Sequence, residues 1–287
     1  MQYKLENDNF NVIIDSKGCE LISAVRKQDE KQYIWNGSPD IWKRHTPVLF
    51  PLVGRYKNDT TVYGGKEYHM TQHGFARDSE FTLIHHEDNV ITMLLTSSEA
   101  TKQMYPFDFE LMITHRLSGN NINTIWEVKN TGDSVMYFSI GGHPAFVCGD
   151  SVEGAQIRFE TEDNRVSYKL LSQEGLLLPK EYYLPLANNN VTITKEFFDN
   201  DALIVENSGI KRVSLSKDCE PVVEVTFDAP VFGLWSAAGK GVPFVCIEPW
   251  YGRTDAVDSD GELVNREWGN ELDSGESFMS GYKVKLL

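Results

Sequence analysis

Hydrophobic residues along this chain recur mostly at every second position, in short runs separated by glycine, asparagine, aspartate and serine. That period marks half-buried strands, because successive side chains on extended backbone point to opposite faces. The clearest stretch is residues 107–128, where Phe107, Phe109, Leu111, Ile113 and His115 share one face. Ser118-Gly119-Asn120-Asn121 then offers residues that tolerate positive φ, and residues 122–128 return, so the pattern predicts a hairpin. Similar runs at 10–14, 90–95, 212–215, 222–227 and 282–287 predict further strands. Helical periodicity is confined to residues 98–103 and 194–198, the second with Thr194 as its cap, and both read as connectors rather than a layer.

Strands recurring from end to end predict an all-β fold, a largely antiparallel sandwich with few short helices, in one domain spanning residues 1–287. No fixed-period repeat, linker or low-complexity tract divides the chain. The acidic, turn-rich stretch at 255–275 predicts a long surface loop.

Composition adds limits on partners. With 41% hydrophobic and 24% charged residues the chain has ordinary globular usage. Its 27 basic against 42 acidic side chains give a net charge of −15, a field that repels nucleic acid and anionic membrane and leaves a small molecule as the expected partner. No apolar run approaches the ~20 residues of a membrane span, and the first residues lack the apolar core of a signal peptide, so a cytoplasmic location is expected. Cys19, Cys148, Cys219 and Cys246 are far apart and form no C-x-x-C pair, which predicts buried free thiols.

Candidate chemistry concentrates where polar residues meet glycine or proline: Val53-Gly54-Arg55-Tyr56-Lys57-Asn58, Gln72-His73-Gly74-Phe75-Ala76-Arg77, and Gly141-Gly142-His143-Pro144-Ala145-Phe146. Pro144 confines His143 to extended geometry, and the two glycines before it would let backbone approach a ligand closely. Glu248 follows the apolar run Val245-Cys246-Ile247 and precedes Pro249-Trp250-Tyr251, a setting in which desolvation would raise its pKa. A histidine or carboxylate in such a place can equally be a hydrogen-bonded strand end or a solvated rim group. His69 and His73 form H-x-x-x-H, but on a strand they would stand about 13 Å apart, so no metal site is expected. His85 and His86 read as exposed residues before a turn. Nucleophile elbow, phosphate loop and dinucleotide fingerprint are all missing from the sequence, which leaves acid–base chemistry.

Together these segments resemble the aldose 1-epimerase (galactose mutarotase) family, in its shorter branch with lactose-operon-associated and hexose-phosphate mutarotase-like proteins. Tyr105-Pro106-Phe107, Val128-Lys129-Asn130-Thr131-Gly132 and the stretch 138–146 extend the resemblance over almost the whole chain. It implies a galactose-mutarotase-like β-supersandwich with a sugar cleft on one face and no cofactor. Carried over by motif, Glu248 is the general base on the anomeric hydroxyl, His143 the acid on the ring oxygen, His73 a polarising partner and Arg55 a ligand of sugar hydroxyls. Asp201 matches a substrate-binding aspartate of the longer galactose mutarotases. Arg77 would either hold a phosphate, favouring a hexose 6-phosphate, or brace a carboxylate. A non-catalytic carbohydrate-binding or sensing protein on the same fold is the alternative. A glycosidase would need a second carboxylate ~5–10 Å from the first, and only Glu248 sits in an interpretable motif.

Overall fold

A computed structural model describes residues 1–238 and 242–287. Two large antiparallel sheets dominate it. One has nine strands, running in space from Asn190–Thr192 at one edge through Gln156–Phe159, Arg212–Lys217, Glu220–Phe227, Ser277–Leu286, Asn121–Asn130, Phe109–Ser118 and Val90–Thr96 to Thr82–Glu87. The other has eight; at its centre Phe244–Tyr251 lies between Val231–Trp235 on one side and the two short pieces Ile140–Gly142 and Ala145–Val147 on the other. A three-stranded meander, Gln2–Glu6, Phe10–Asp15 and Glu20–Arg26, precedes them.

The sheets pack face to face because each presents an apolar row. Phe232 of the eight-stranded sheet meets Phe227 and Phe159 of the nine-stranded one, with ring centroids 5.4 and 6.4 Å apart. All-β architecture with almost no helix therefore follows from the period-two pattern. The hairpin at 109–130 forms in the expected register, with Ser118 opposite Asn121, and Gly119 supplies the positive φ. His115, on its inward face, is buried, while His85 and His86 are exposed on the edge strand Thr82–Glu87.

Local expectations met different fates. At 98–103 a one-turn helix, Glu99–Lys102, forms with Ser98 and Thr101 closing a reciprocal capping box. At 194–198 no helix forms: successive i→i−3 bonds, Phe197 to Thr194 and Asp199 to Glu196, make a string of turns instead. One turn of helix has too few bonds to offset its nucleation without a cap, and the Thr194 hydroxyl accepts no backbone N–H there. The acidic stretch 255–275 is not one surface loop. Asp255 is buried against Arg266, and Asn270–Leu272 pairs with Met136–Phe138. Cys19, Cys148 and Cys246 are buried free thiols as expected, but Cys219 is exposed, at a turn with φ of 67°. Among the described residues no helix is long and apolar enough to cross a membrane.

Candidate active site

The central strand Phe244–Tyr251 is buried on both faces, and its two faces do different work. Strand partners directly opposite share a face, and Ile247 lies opposite Leu234 while Glu248 lies opposite Gly233. Val245 and Ile247 thus face the sandwich core with Phe232 and Leu234. Cys246, Glu248 and Trp250 share the opposite face, and Glu248 and Trp250 line a cleft of about 310 Å³. Gly141 and Gly233 flank Trp250 on the neighbouring strands, and a Cβ on either would stand 2.6 Å from its ring. Gly142 turns the other way, and a Cβ there would stand 2.7 Å from the Tyr282 ring. The Gly-Gly pair therefore makes room for aromatic rings on both faces, where the sequence suggested approach to a ligand.

Between the short strands Ile140–Gly142 and Ala145–Val147 the chain steps out at His143-Pro144, beside the central strand's Glu248. Pro249, which has no N–H to give, falls at that interruption. The His143 amide bonds the Pro47 carbonyl at 3.0 Å, and its ring stacks on Trp42, meets Trp235 edge-on and lies 5.7 Å from the His73 ring. His143 Nε2 is 3.2 Å from Glu248 Oε2, close enough for an ion pair although not aligned as a hydrogen bond.

Glu248 is 1% exposed, and Oε2 has no hydrogen-bond partner. Burial, and then the charge of Asp201, push its pKa well above the ordinary carboxylate value. Burial pulls His143 down to about 3. The two shifts run in opposite directions, and both favour the uncharged pair, a protonated Glu248 and a neutral His143, 3.2 Å apart.

His73 sits at φ of 69°, and Gly74 follows at 70° with Phe50 so close that a Cβ would stand 2.2 Å from its carbonyl oxygen. Two bonds to Gly54 hold this turn: the His73 amide donates to the Gly54 carbonyl at 2.7 Å, and the Gly54 amide donates to His73 Nδ1 at 3.1 Å. Burial keeps the ring neutral, with a pKa well below its usual value. With Nδ1 accepting, the proton resides on Nε2, so His73 is a hydrogen-bond donor.

Of the six residues singled out from the sequence, Glu248, His143, His73, Arg77 and Asp201 line this cleft. Arg55 does not: it is turned to Asp59 at 3.4 Å, at the rim beside Gly175. Arg77 bonds the Gln72 carbonyl, its Nε has no hydrogen-bond partner, and burial together with nearby Arg44 lowers its pKa to about 10. Trp42, Trp235 and Thr254 line the cleft without having been foreseen. Trp42, an aromatic residue inside a polar loop, was the one with a local signal.

A model of the aldose 1-epimerase family matches residues 1–265. The chain belongs to the aldose 1-epimerase family. Protein LacX (plasmid form) of Lactococcus lactis is 28% identical over the full length of both chains. A galactose mutarotase related enzyme from Lactobacillus acidophilus superposes with a TM-score of 0.95 at 35% identity, over 100% of this chain and 97% of that one. A galactose mutarotase-like protein from Lactobacillus casei does so with 0.95 at 27%, over the whole of both. This aldose 1-epimerase family member thus has the galactose-mutarotase-like β fold that its motifs implied.

Proposed function

We propose that the protein is an aldose mutarotase that opens and recloses a cyclic hexose with Glu248 and His143 as its proton-transferring pair. The observation that carries this reading is the buried 3.2 Å contact between those groups on the floor of a cleft of about 310 Å³. That volume is at the small end of the range for ligand pockets, about 300–1,000 Å³, which suits a single sugar.

Opening a hemiacetal needs one proton to leave the C1 hydroxyl and one to reach the ring oxygen. In the ion-paired form the Glu248 carboxylate takes the first and the His143 imidazolium gives the second. The C1–O5 bond breaks, leaving an aldehyde at C1 and a hydroxyl at C5. Rotation about C1–C2 exposes the other face of the aldehyde, and the same two groups, with roles reversed, close the ring to the other anomer. The ion-paired form holds the same number of protons as the neutral pair, so one transfer along the 3.2 Å contact prepares the site. His73 Nε2–H polarises the ring oxygen, and Trp42, Trp235 and Trp250 offer apolar planes to the C–H face of the sugar. No cofactor enters this sequence of steps.

Catalysis is tested by the optical rotation of freshly dissolved α-glucose and α-galactose with the protein well below the sugar concentration. Acceleration supports the mutarotase; binding without acceleration would make the protein a carbohydrate sensor. A second reading, a hexose 6-phosphate as substrate, draws support from Arg77, a cation on the cleft wall whose Nε has no hydrogen-bond partner and only the carboxylate of Asp78 3.8 Å away. A candidate glucose-6-phosphate 1-epimerase of Escherichia coli also aligns at 29% identity over 135 residues, covering 41% of this chain and 45% of that one. An anomer-specific coupled assay with glucose 6-phosphate separates the two substrates by relative kcat/KM, and Arg77→Ala should lower that ratio for the phosphate alone.

A further inference from the structure

Two residues before Glu248, on the same face of the central strand, lies Cys246, 0% exposed. Its Sγ, a ring nitrogen of His143 and a carboxylate oxygen of Glu248 all lie within 4.8 Å of one another. The sugar chemistry uses the nitrogen and the oxygen and has no part for the sulfur. Two of these three residues carry buried polar atoms without hydrogen-bond partners, Glu248 Oε2 and His143 Nδ1.

Thiolate, imidazole and carboxylate are the donors that Zn²⁺ takes, and thiolate in particular selects zinc over magnesium or calcium. The His143 Nε2 to Glu248 Oε2 separation of 3.2 Å matches two ligands about 2.0–2.1 Å from a tetrahedral ion, which stand about 3.3 Å apart. The sulfur must close to about 3.5 Å from each, a movement of about an ångström. Glu248 and His143 border the cleft, so a cation enters from it and keeps its fourth position there, with Asp201 on the same wall.

We propose that His143 Nε2, Cys246 Sγ and Glu248 Oε2 form an inhibitory site for a thiophilic divalent cation, Zn²⁺, which locks the catalytic pair. Binding releases the thiol proton and the proton shared by the pair to water, so the ion replaces the charge that the reaction would move. A zinc-bound Glu248 cannot accept the anomeric proton, and a zinc-bound His143 cannot protonate the ring oxygen. The inhibition rests on the mutarotase reading; the binding site does not.

The experiment has two arms on the full chain. In the first, Co²⁺ is titrated as a spectroscopic stand-in for zinc, and a thiolate-to-cobalt charge-transfer band is expected. The band should disappear in Cys246→Ala and persist in Cys219→Ser, whose thiol is exposed. In the second, Zn²⁺ should slow mutarotation at least about tenfold, reversibly with a chelator, and Cys246→Ala should bind the ion about ten- to hundredfold more weakly, at least the loss seen when an outer-shell partner is removed. If Cys246→Ala does not fold, Cys246→Ser takes its place, and a band that persists in Cys219→Ser while vanishing in Cys246→Ser remains decisive. A protein without mutarotase activity that still shows the Cys246-dependent band keeps the site and loses the inhibition. Absence of any thiolate band, or zinc inhibition equally strong in Cys246→Ala, overturns the proposal and moves the ion to a surface pair such as His85 and Glu87, 3.3 Å apart.

Discussion

His115 and His143 are both buried histidines, and burial lowers both, to about 4 and about 3. What separates them is satisfaction. His115, on the inner face of the 109–130 hairpin, has a partner for each nitrogen, the Thr124 hydroxyl at 3.0 Å and the Cys19 carbonyl at 2.8 Å. In His143 Nδ1 has no partner and Nε2 faces a buried carboxylate without an aligned bond. A buried polar group left unmatched is destabilising unless something else keeps it. A displaced pKa alone therefore does not set His143 apart from His115; the unfilled hydrogen-bonding capacity at the cleft does, and it supports the role proposed for His143.

The largest effect expected at the cleft end of this comparison is from Glu248→Gln, which should lower kcat by about 10²–10⁴ while sugar binding survives. The same variant should be more stable than wild type in alkali. Glu248 is held above its ordinary 4.5, so the folded state keeps a proton that the unfolded chain gives up, and wild-type stability falls as pH rises from 4.5. Thermal melts at pH 8 and at pH 4.5 should show the advantage of the variant shrinking toward the lower pH. Full activity in Glu248→Gln would break the assignment.

Replacing each histidine in turn sets the two sites directly against each other. His143→Ala should reduce kcat by about 10²–10⁴ with a small change in stability. His115→Ala strands the Thr124 hydroxyl and the Cys19 carbonyl and should destabilise by about 2–4 kcal/mol in urea unfolding, with kcat retained. The converse pattern would reverse their roles.

Acid should weigh on every buried neutral histidine over the same range, and the difference between wild type and His115→Ala isolates the share of His115. The unfolded chain binds a proton near 6.5 and the folded His115 only near 4, so its contribution is intact above 6.5 and is lost as pH falls toward 4. The loss is about 3 kcal/mol, from 1.36 kcal/mol per unit of pKa difference. A urea midpoint that does not fall between pH 6.5 and 4 would contradict the burial of this ring as neutral.

Smaller effects divide the two faces of the glycine pair. Gly142→Ala crowds Tyr282 in the core and should lower stability by about 1–3 kcal/mol. Gly141→Ala crowds Trp250 in the cleft and should raise KM as well. Smallest of all should be Arg55→Ala, whose half-exposed pair with Asp59 is worth at most about 1 kcal/mol. A large rise in KM in that variant would mean that Arg55 swings to the sugar.

Much of this was legible from local pattern. Alternation needs only neighbours two residues apart, so the strands at 10–15, 90–96, 212–217 and 220–227 and the hairpin with its Gly119 turn follow from sequence. His143 before a proline, and Glu248 inside an apolar run, stood out because a charge or an imidazole in those settings violates the surrounding rule. The end of the expected helix at 194–198 was less legible, since so short a segment is decided by what its ends can bond.

The sequence by itself determined an all-β chain, its family, and the residue types of the proposed acid–base site, because strand period, turn chemistry and motif are properties of contiguous residues. Only the tertiary structure decided that His143 stands 3.2 Å from Glu248 and stacks on Trp42, and that Cys246 lies beside the pair. The turning of Arg55 toward Asp59 and the pairing of Asp255 with Arg266 belong to the same class. Arg55 is turned by a neighbour four residues away and Asp255 pairs eleven residues on, whereas His143 meets Trp42, Cys246 and Glu248 from about a hundred residues away. Such remote partners are set by which strands lie side by side, and that order is selected by burial over the whole sandwich rather than by any segment alone.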